Sequence, residues 1–218
     1  MMLCFNSFGQ KLGGYVIGYG VGSYRVGLHN LENAVYGFNH YHTGVTKQMS
    51  VSNIFQGITM GFSSDLTGNF GMEFIWSNKH MISTGQRDSS GTALDVSLKA
   101  RLNTLNWGFF VKVGKSTRIG TSLDMGNFKV LEKKSSMGDS WFPFYDGGAW
   151  AFGESFFITF STPISKALGL SFRPYYQAEL FPAHETYTTS MIFSTDYTYR
   201  FSNFGLLLYL TWGSGGKE

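Results

Sequence analysis

The sequence predicts an all-β fold, a transmembrane antiparallel up-and-down β-barrel of about eight strands with a short helix in the first external loop. Three observations lead to this prediction. The first is a recurring alternation, as in 54–63 and 94–103, of apolar or aromatic residues with small, polar or charged ones. Successive side chains of a strand point to opposite faces, so each segment has one apolar and one polar face. No second layer to cover the apolar faces is evident, and an apolar exterior around a polar interior is typical of a membrane barrel.

The second observation is the composition. Charged residues make up 14% of the 218 residues, against about a quarter in soluble domains, while aromatics reach 17% and glycine 28 residues. The mean hydropathy is −0.07, and no run approaches the ~20 apolar residues of a spanning helix. A helical membrane protein is therefore excluded. The net charge of +3 comes from scattered basic residues, so we expect no nucleic-acid partner.

The alternation gives the strands in order, with one helical interruption. Leu31, Ala34, Val35 and Phe38 follow the helical spacing i, i+3, i+4, i+7, which predicts a helix over about 30–41. The third strand starts at Phe70 and stops before a polar loop at 83–91. The other seven are expected at 13–27, 51–64, 92–113, 118–132, 149–162 and 167–181, with the last ending at Trp212.

The fourth strand changes phase partway along. Its apolar residues fall on even positions up to Leu102 and on odd positions from Leu105 onward. A phase change without a turn signal is what a β-bulge produces, so we expect a bulge within 103–106. The alternative is two strands joined by a tight turn at 103–104.

The third observation is that the connections alternate in length. Turns near 66, 115 and 164 are short, whereas loops near 40, 87, 140 and 188 are long. Short periplasmic turns and long external loops are expected of a bacterial outer-membrane barrel. Both ends of the chain should then lie on the periplasmic side. We interpret 1–10 as the remnant of a signal peptide, 11–213 as the barrel and 214–218 as a flexible tail.

The chain resembles the small eight-stranded outer-membrane barrels, the class of the OmpA membrane domain and OmpX, in the form found in Bacteroidota. The resemblance spans 11–213 and includes the closing strand 203–212, which looks like the C-terminal signal read by the barrel-assembly machinery. The tail after Trp212 departs from that ending. The resemblance implies a place in the bacterial outer membrane, but it implies little about activity.

Two sets of residues follow from the predicted barrel. Charges on the polar faces should pair in a narrow lumen as a plugging network, with an ion or proton path as the alternative; they are Glu73, Asp95, Lys99, Arg101, Asp124, Arg173 and Glu179. Aromatic belts should mark the two interfaces. Trp76 and Trp150 are expected at the external one, and Trp107 and Trp212 at the periplasmic one.

These features predict a plugged, non-catalytic barrel that is a structural or accessory subunit of a secretion, surface or biogenesis complex. Its expected partners are outer-membrane lipid or lipopolysaccharide and another outer-membrane protein, and no cofactor or metal is expected. The candidate partner contacts are Leu31, Val35, Phe38, Trp141, Phe142 and Phe144.

Two alternatives remain open at this stage. One is a lipid-modifying acyl hydrolase or transferase that uses His80 and Ser83 with His184 or Glu185. The other is a small-solute channel.

Overall fold

A computed structural model describes residues 14–24, 29–143, 149–181, 183–188, 194–199 and 202–213. It contains one α-helix, α1 (His29–Tyr41), a 3₁₀ turn (Ser135–Met137) and twelve strands. The strands are β1 (Gly14–Tyr24), β2 (Val45–Lys47), β3 (Ile54–Thr67), β4 (Phe70–Ser89), β5 (Thr92–Val113), β6 (Thr117–Lys134), β7 (Phe142–Pro143), β8 (Ala149–Pro163), β9 (Leu168–Phe181), β10 (Ala183–Thr188), β11 (Ser194–Tyr199) and β12 (Asn203–Trp212).

Eight of these strands close into an antiparallel barrel, which confirms the predicted fold class and strand number. The ring runs β1, β3, β4, β5, β6, β8, β9, β12 and returns to β1. The short strand β2 pairs with β4 and β7 pairs with β6, while β10 and β11 form a separate hairpin. None of the described helices is long and apolar enough to cross a membrane.

The two ends of the barrel differ. At the turn end, short connections follow β3, β5 and β8, and the first and last strands meet there with Tyr15 opposite Trp212. Gly114 adopts φ +78° in the turn after β5, a conformation that favours glycine. At the loop end lie α1, β2, β7 and the β10–β11 hairpin. The helix predicted over 30–41 is confirmed, within a residue at its start.

The predicted long loop at 83–91 is wrong. Strand β4 continues to Ser89, and its register with β5 is continuous to the last pair, Ser89 opposite Thr92. Ser90 and Gly91 turn the hairpin with φ values of 55° and 82°, as two-residue hairpin turns require. The polar residues that resembled a loop therefore belong to a strand.

The predicted bulge in β5 is also wrong. The strand pairs with β4 over 92–111 and with β6 over 96–113 without a register shift. Even-numbered residues such as Leu98 and Leu102 are buried inside the barrel, and odd-numbered residues such as Trp107 and Val111 are exposed outside it. Odd-numbered residues face outward along the whole of β5. Toward the turn end the apolar residues occupy this outer face, whereas toward the loop end they occupy the inner face.

That inversion creates a hydrophobic core inside the loop end. Val35 and Phe38 of α1 close it from above. Gly85 leaves the space that this helix needs, because a Cβ there would be too close to the side chains of Phe38 and Met49. The loop-end core consists of Val35, Phe38, Met49, Phe55, Met81, Val96, Leu98, Ala100, Leu102, Phe128, Val130 and Ala151.

Candidate functional site

A band of exposed apolar side chains encircles the outer wall, which we call the apolar band. Toward the loop end it stops at a row formed by Trp76, Leu105 and Met125, which are cross-strand neighbours on β4, β5 and β6. Exposed members of the band include Tyr15, Ile17, Tyr19, Ile58, Met60, Phe62, Phe74, Trp107, Val111, Ile119, Leu123, Phe152, Phe156, Ile158, Phe160, Phe172, Tyr176, Phe204, Leu206, Leu208 and Leu210.

The interior of the barrel at the level of the band is polar and crossed by an ion pair. Arg173 on β9 donates from Nη1 to Oε1 of Glu73 at 2.5 Å and from Nη2 to Oε2 at 2.6 Å. The strands β4 and β9 are four places apart in the ring of eight, so the pair spans the lumen between opposite walls. The Nε of Arg173 donates to Thr159 at 2.8 Å, and its guanidinium lies 4.1 Å from the ring centre of Phe157. Bidentate pairs of this kind are among the strongest hydrogen-bonded contacts in proteins.

A second buried carboxylate is held by neutral donors. Asp124 on β6 accepts hydrogen bonds from Asn106 at 2.5 Å, from Ser122 and Gln177 at 2.7 Å each, and also from Ser155. The donors come from β5, β6, β8 and β9, so this one side chain ties together half of the ring. A buried charge requires such compensation, because burial without partners costs several kcal/mol.

Lys79 and Tyr175 form the third lumen contact. The Lys79 ammonium donates to the Tyr175 hydroxyl and lies 4.6 Å from the ring centre. The Tyr175 ring packs directly against Gly205, where any Cβ would overlap it. Around these groups remains a space of about 30 Å³, which is large enough to hold water.

The lumen charges expected from the sequence divide into two groups. Glu73, Asp124 and Arg173 are buried within the barrel, and Glu179 lies on the inward-facing positions of β9. Asp95, Lys99 and Arg101 were expected inside but lie on the outer wall of β5. The cause is the inversion described above, because at the loop end the inner face is apolar and the charged face is outside.

Sequence reasoning missed Lys79 as a lumen residue, and it placed Tyr175 and Gln177 on the polar face of their strand without including them in the lumen network. A usable signal existed for Lys79, because it is six residues from Glu73 and a strand returns the same face at every second residue. Tyr175 and Gln177 share the face of Arg173 for the same reason.

Three of the four tryptophans expected in belts lie near an edge of the band. Trp76 is in its loop-end row, Trp150 is paired with Asn127 just beyond that row, and Trp212 is at the turn end. Trp107 was expected near the turn end, but it is only two residues from Leu105 and faces outward within the loop-end half of the band.

The candidate partner contacts are not one surface. Val35 and Phe38 are 6% and 5% exposed and belong to the loop-end core, so they are not available to a partner. Phe142 is exposed, and Trp141 lies beneath the Lys99 ammonium at 5.5 Å. Phe144 and the side chain of Leu31 lie outside the described residues.

The residues offered for a lipid-modifying enzyme are not brought together. His80 points outward from β4, whereas Ser83 is buried inside and donates to the carbonyl of Ser50 at 2.6 Å. Residues three apart on a strand face opposite sides, so this pair cannot form a catalytic unit. The side chains of His184 and Glu185 lie outside the described part of the chain.

Comparisons with known proteins give structural neighbours only. No protein-family model and no curated protein matches the chain. The fold is similar to OprG from Pseudomonas aeruginosa (8% identity, 94% of this chain and 97% of that one, TM-score 0.48). It is also similar to Ail of Yersinia pestis (6% identity, 92% and 96%, TM-score 0.47). The third is outer membrane protein W of E. coli (12% identity, 92% and 97%, TM-score 0.42).

Proposed function

We propose that the protein is an integral outer-membrane β-barrel with a sealed lumen. It acts through its outer surfaces, as a structural or accessory subunit of an envelope complex. The membrane location is supported by the apolar band, since soluble monomers rarely expose contiguous apolar patches above a few hundred Å². Nine residues of β5, from Leu105 to Val113, form its part of the band, and a tilted spanning strand needs about 9–11.

The inversion of polarity supports a loop end that projects beyond the membrane. Beyond the band toward the loop end, the wall carries polar residues outside and the loop-end core inside, which is the arrangement of a barrel surrounded by water. The orientation is supported by the connections, because short turns usually lie on the periplasmic side of such barrels. We therefore place the loop end outside the cell and both termini on the periplasmic side.

The buried contacts across the lumen are the observation on which the proposal depends. Eight strands enclose an interior just wide enough for side chains to fill. Here the Glu73–Arg173 pair crosses it from one wall to the opposite one, and the Asp124 cluster occupies part of the lumen beside β6. A solute would have to break both buried contacts to pass.

Planar-bilayer recording tests the seal and also tests the channel alternative. The wild-type barrel should show no unitary conductance, whereas Glu73→Ala/Arg173→Ala, which removes the pair, should conduct. Asp65→Ala/Lys112→Ala is the control, because that partly exposed pair lies at the turn-end rim. Stepwise currents from the wild-type barrel would contradict the proposal.

The accessory role needs its own measurement. Purification from native membranes in a gentle detergent should yield the barrel with another envelope protein in fixed stoichiometry. Recovery of the barrel alone, under conditions that preserve other envelope complexes, would contradict this part of the proposal.

A further inference from the structure

Basic side chains form a row on the outer wall just beyond the apolar band. His80, Arg101 and Lys129 are direct cross-strand neighbours on β4, β5 and β6, and Lys99 is the next outward residue of β5. We call these four residues the basic row. Arg101 and Lys129 are like charges opposite one another on adjacent strands, which is destabilising, so the arrangement favours a bound anion.

The described residues do not supply that anion. Among them, Lys99, Arg101 and Lys129 have no carboxylate partner, and the buried Nε of Arg101 has no hydrogen-bond acceptor. The nearby Lys133 differs in this respect, because it pairs with Asp139 at 2.6 Å. Asp95, which lies two outward positions beyond Lys99 on β5, accepts a hydrogen bond from Gln86.

The height of the basic row matches a lipid headgroup. Between it and the band lies one row of amides, formed by Asn78, Asn103 and Asn127. Arg101 is four residues from Leu105, which is roughly 13 Å along the strand and less along the membrane normal because the strands tilt. The polar zone of a bilayer is about 5–7 Å deep on each side, and long basic side chains can reach back toward it.

An apolar groove begins just below the row of amides. It has a volume of about 400 Å³ and is lined mainly by Leu105, Trp107, Leu123, Met125, Phe152 and Phe181. The groove adjoins an irregularity in the β8–β9 ladder, where Phe152 pairs with Phe181 and Gly153 with Glu179, leaving Leu180 as an extra residue. Such bulges bend a wall locally. Asp124 also lines the groove, but its carboxylate is held by the lumen donors described above. Glu154, opposite Leu123 of the groove, accepts a hydrogen bond from Thr121 at 2.9 Å.

We propose that this wall binds a phosphorylated lipid of the outer leaflet, with its phosphate on Lys99, Arg101 and Lys129 and an acyl chain in the groove. The proposal rests on the membrane location proposed above. Charge complementarity and the groove point to the same amphiphile, because a single row of amides separates the cations from the apolar lining. Bidentate guanidinium contacts make Arg101 the best placed residue for a phosphate.

Native mass spectrometry from detergent micelles tests this binding directly. The probes are bisphosphorylated lipid A, the same lipid without phosphates, and inorganic phosphate. The wild-type barrel should retain one lipid A in preference to the dephosphorylated lipid, and inorganic phosphate should not displace it. Lys99→Gln/Arg101→Gln/Lys129→Gln should weaken retention about tenfold or more, since each cation near an anionic lipid surface contributes about 1 kcal/mol.

A matched variant and an insertion assay separate the possible outcomes. Lys47→Gln/Lys115→Gln/Lys166→Gln removes the same charge from exposed sites elsewhere and should bind like the wild type. Equal lipid A retention by both triple variants would overturn the lipid site while leaving the membrane barrel intact. Failure of the wild type to insert into phosphatidylcholine vesicles, judged by protease protection, would overturn the membrane location and the lipid site together.

Discussion

Removing one partner of the Glu73–Arg173 pair should destabilise the barrel far more than replacing both. The two residues are 1% and 4% exposed, and two hydrogen bonds of 2.5 and 2.6 Å join them. Loss of one partner leaves an uncompensated buried charge, which costs about 3–5 kcal/mol. Glu73→Leu should therefore lower the free energy of unfolding by about that amount. Glu73→Leu/Arg173→Met buries no charge and should return to about the wild-type value or above it.

Guanidinium unfolding in phosphatidylcholine vesicles, followed by tryptophan fluorescence, measures these differences. The Asp65–Lys112 pair is the comparison, because its side chains are 21% and 25% exposed. Lys112→Met should cost at most about 1 kcal/mol, as expected for a pair that solvent screens. A loss of unfolding free energy in Glu73→Leu no greater than that in Lys112→Met would contradict this expectation. A loss in the double variant equal to the sum of the losses in Glu73→Leu and Arg173→Met would also contradict it.

Three further outcomes follow from the geometry. Leu98→Asp should prevent stable folding, because it places a charge in the loop-end core. Lys99→Asp, one residue away on the outer wall, should change the unfolding free energy by about 0.5 kcal/mol or less in the same vesicle assay. Gly205→Ala should cost about 1–3 kcal/mol through overlap with a packed ring, whereas Gly68→Ala, with open space around it, should be neutral in a thermal melt. Desolvation and the charge of the Lys99 ammonium lower the pKa of His80 from its usual value, so Lys99→Gln should raise the pKa measured by NMR. An unchanged midpoint would contradict this electrostatic effect of Lys99.

The strands of the barrel were predictable because each passes between two media of opposite polarity. Alternation marks such strands even though the mean hydropathy is near zero, and it located β5, β8 and β12 closely. It failed along residues 83–89 of β4. Outward residues there face water, and the inward residues Ser83 and Gly85 are small. Gly85 leaves space for the side chains of Phe38 and Met49, which pack into the loop-end core. A strand with polar residues on one face and small residues on the other has the same sequence pattern as a loop.

The phase change in β5 was visible in the sequence, but its cause was not. A bulge and an exchange of the surrounding medium produce the same pattern of apolar residues, and only the continuous register distinguishes them. This ambiguity placed Asp95, Lys99 and Arg101 on the wrong side of the wall.

Contacts across the lumen were out of reach for a different reason. Which residues meet depends on the stagger between strands that are far apart in sequence, as with the hundred residues between Glu73 and Arg173. Alternation shows the face of a side chain but gives no information on its height in the barrel.

Spin-label accessibility along β5 tests most directly whether the apolar band faces hydrocarbon. In a Cys4→Ser background, nitroxides are attached at Lys99→Cys, Phe109→Cys and Val111→Cys in lipid vesicles. Collisions with oxygen should dominate at 109 and 111, and collisions with a water-soluble nickel complex should dominate at 99. Equal access of the nickel complex to all three positions would contradict the account, because the band would then lie in water.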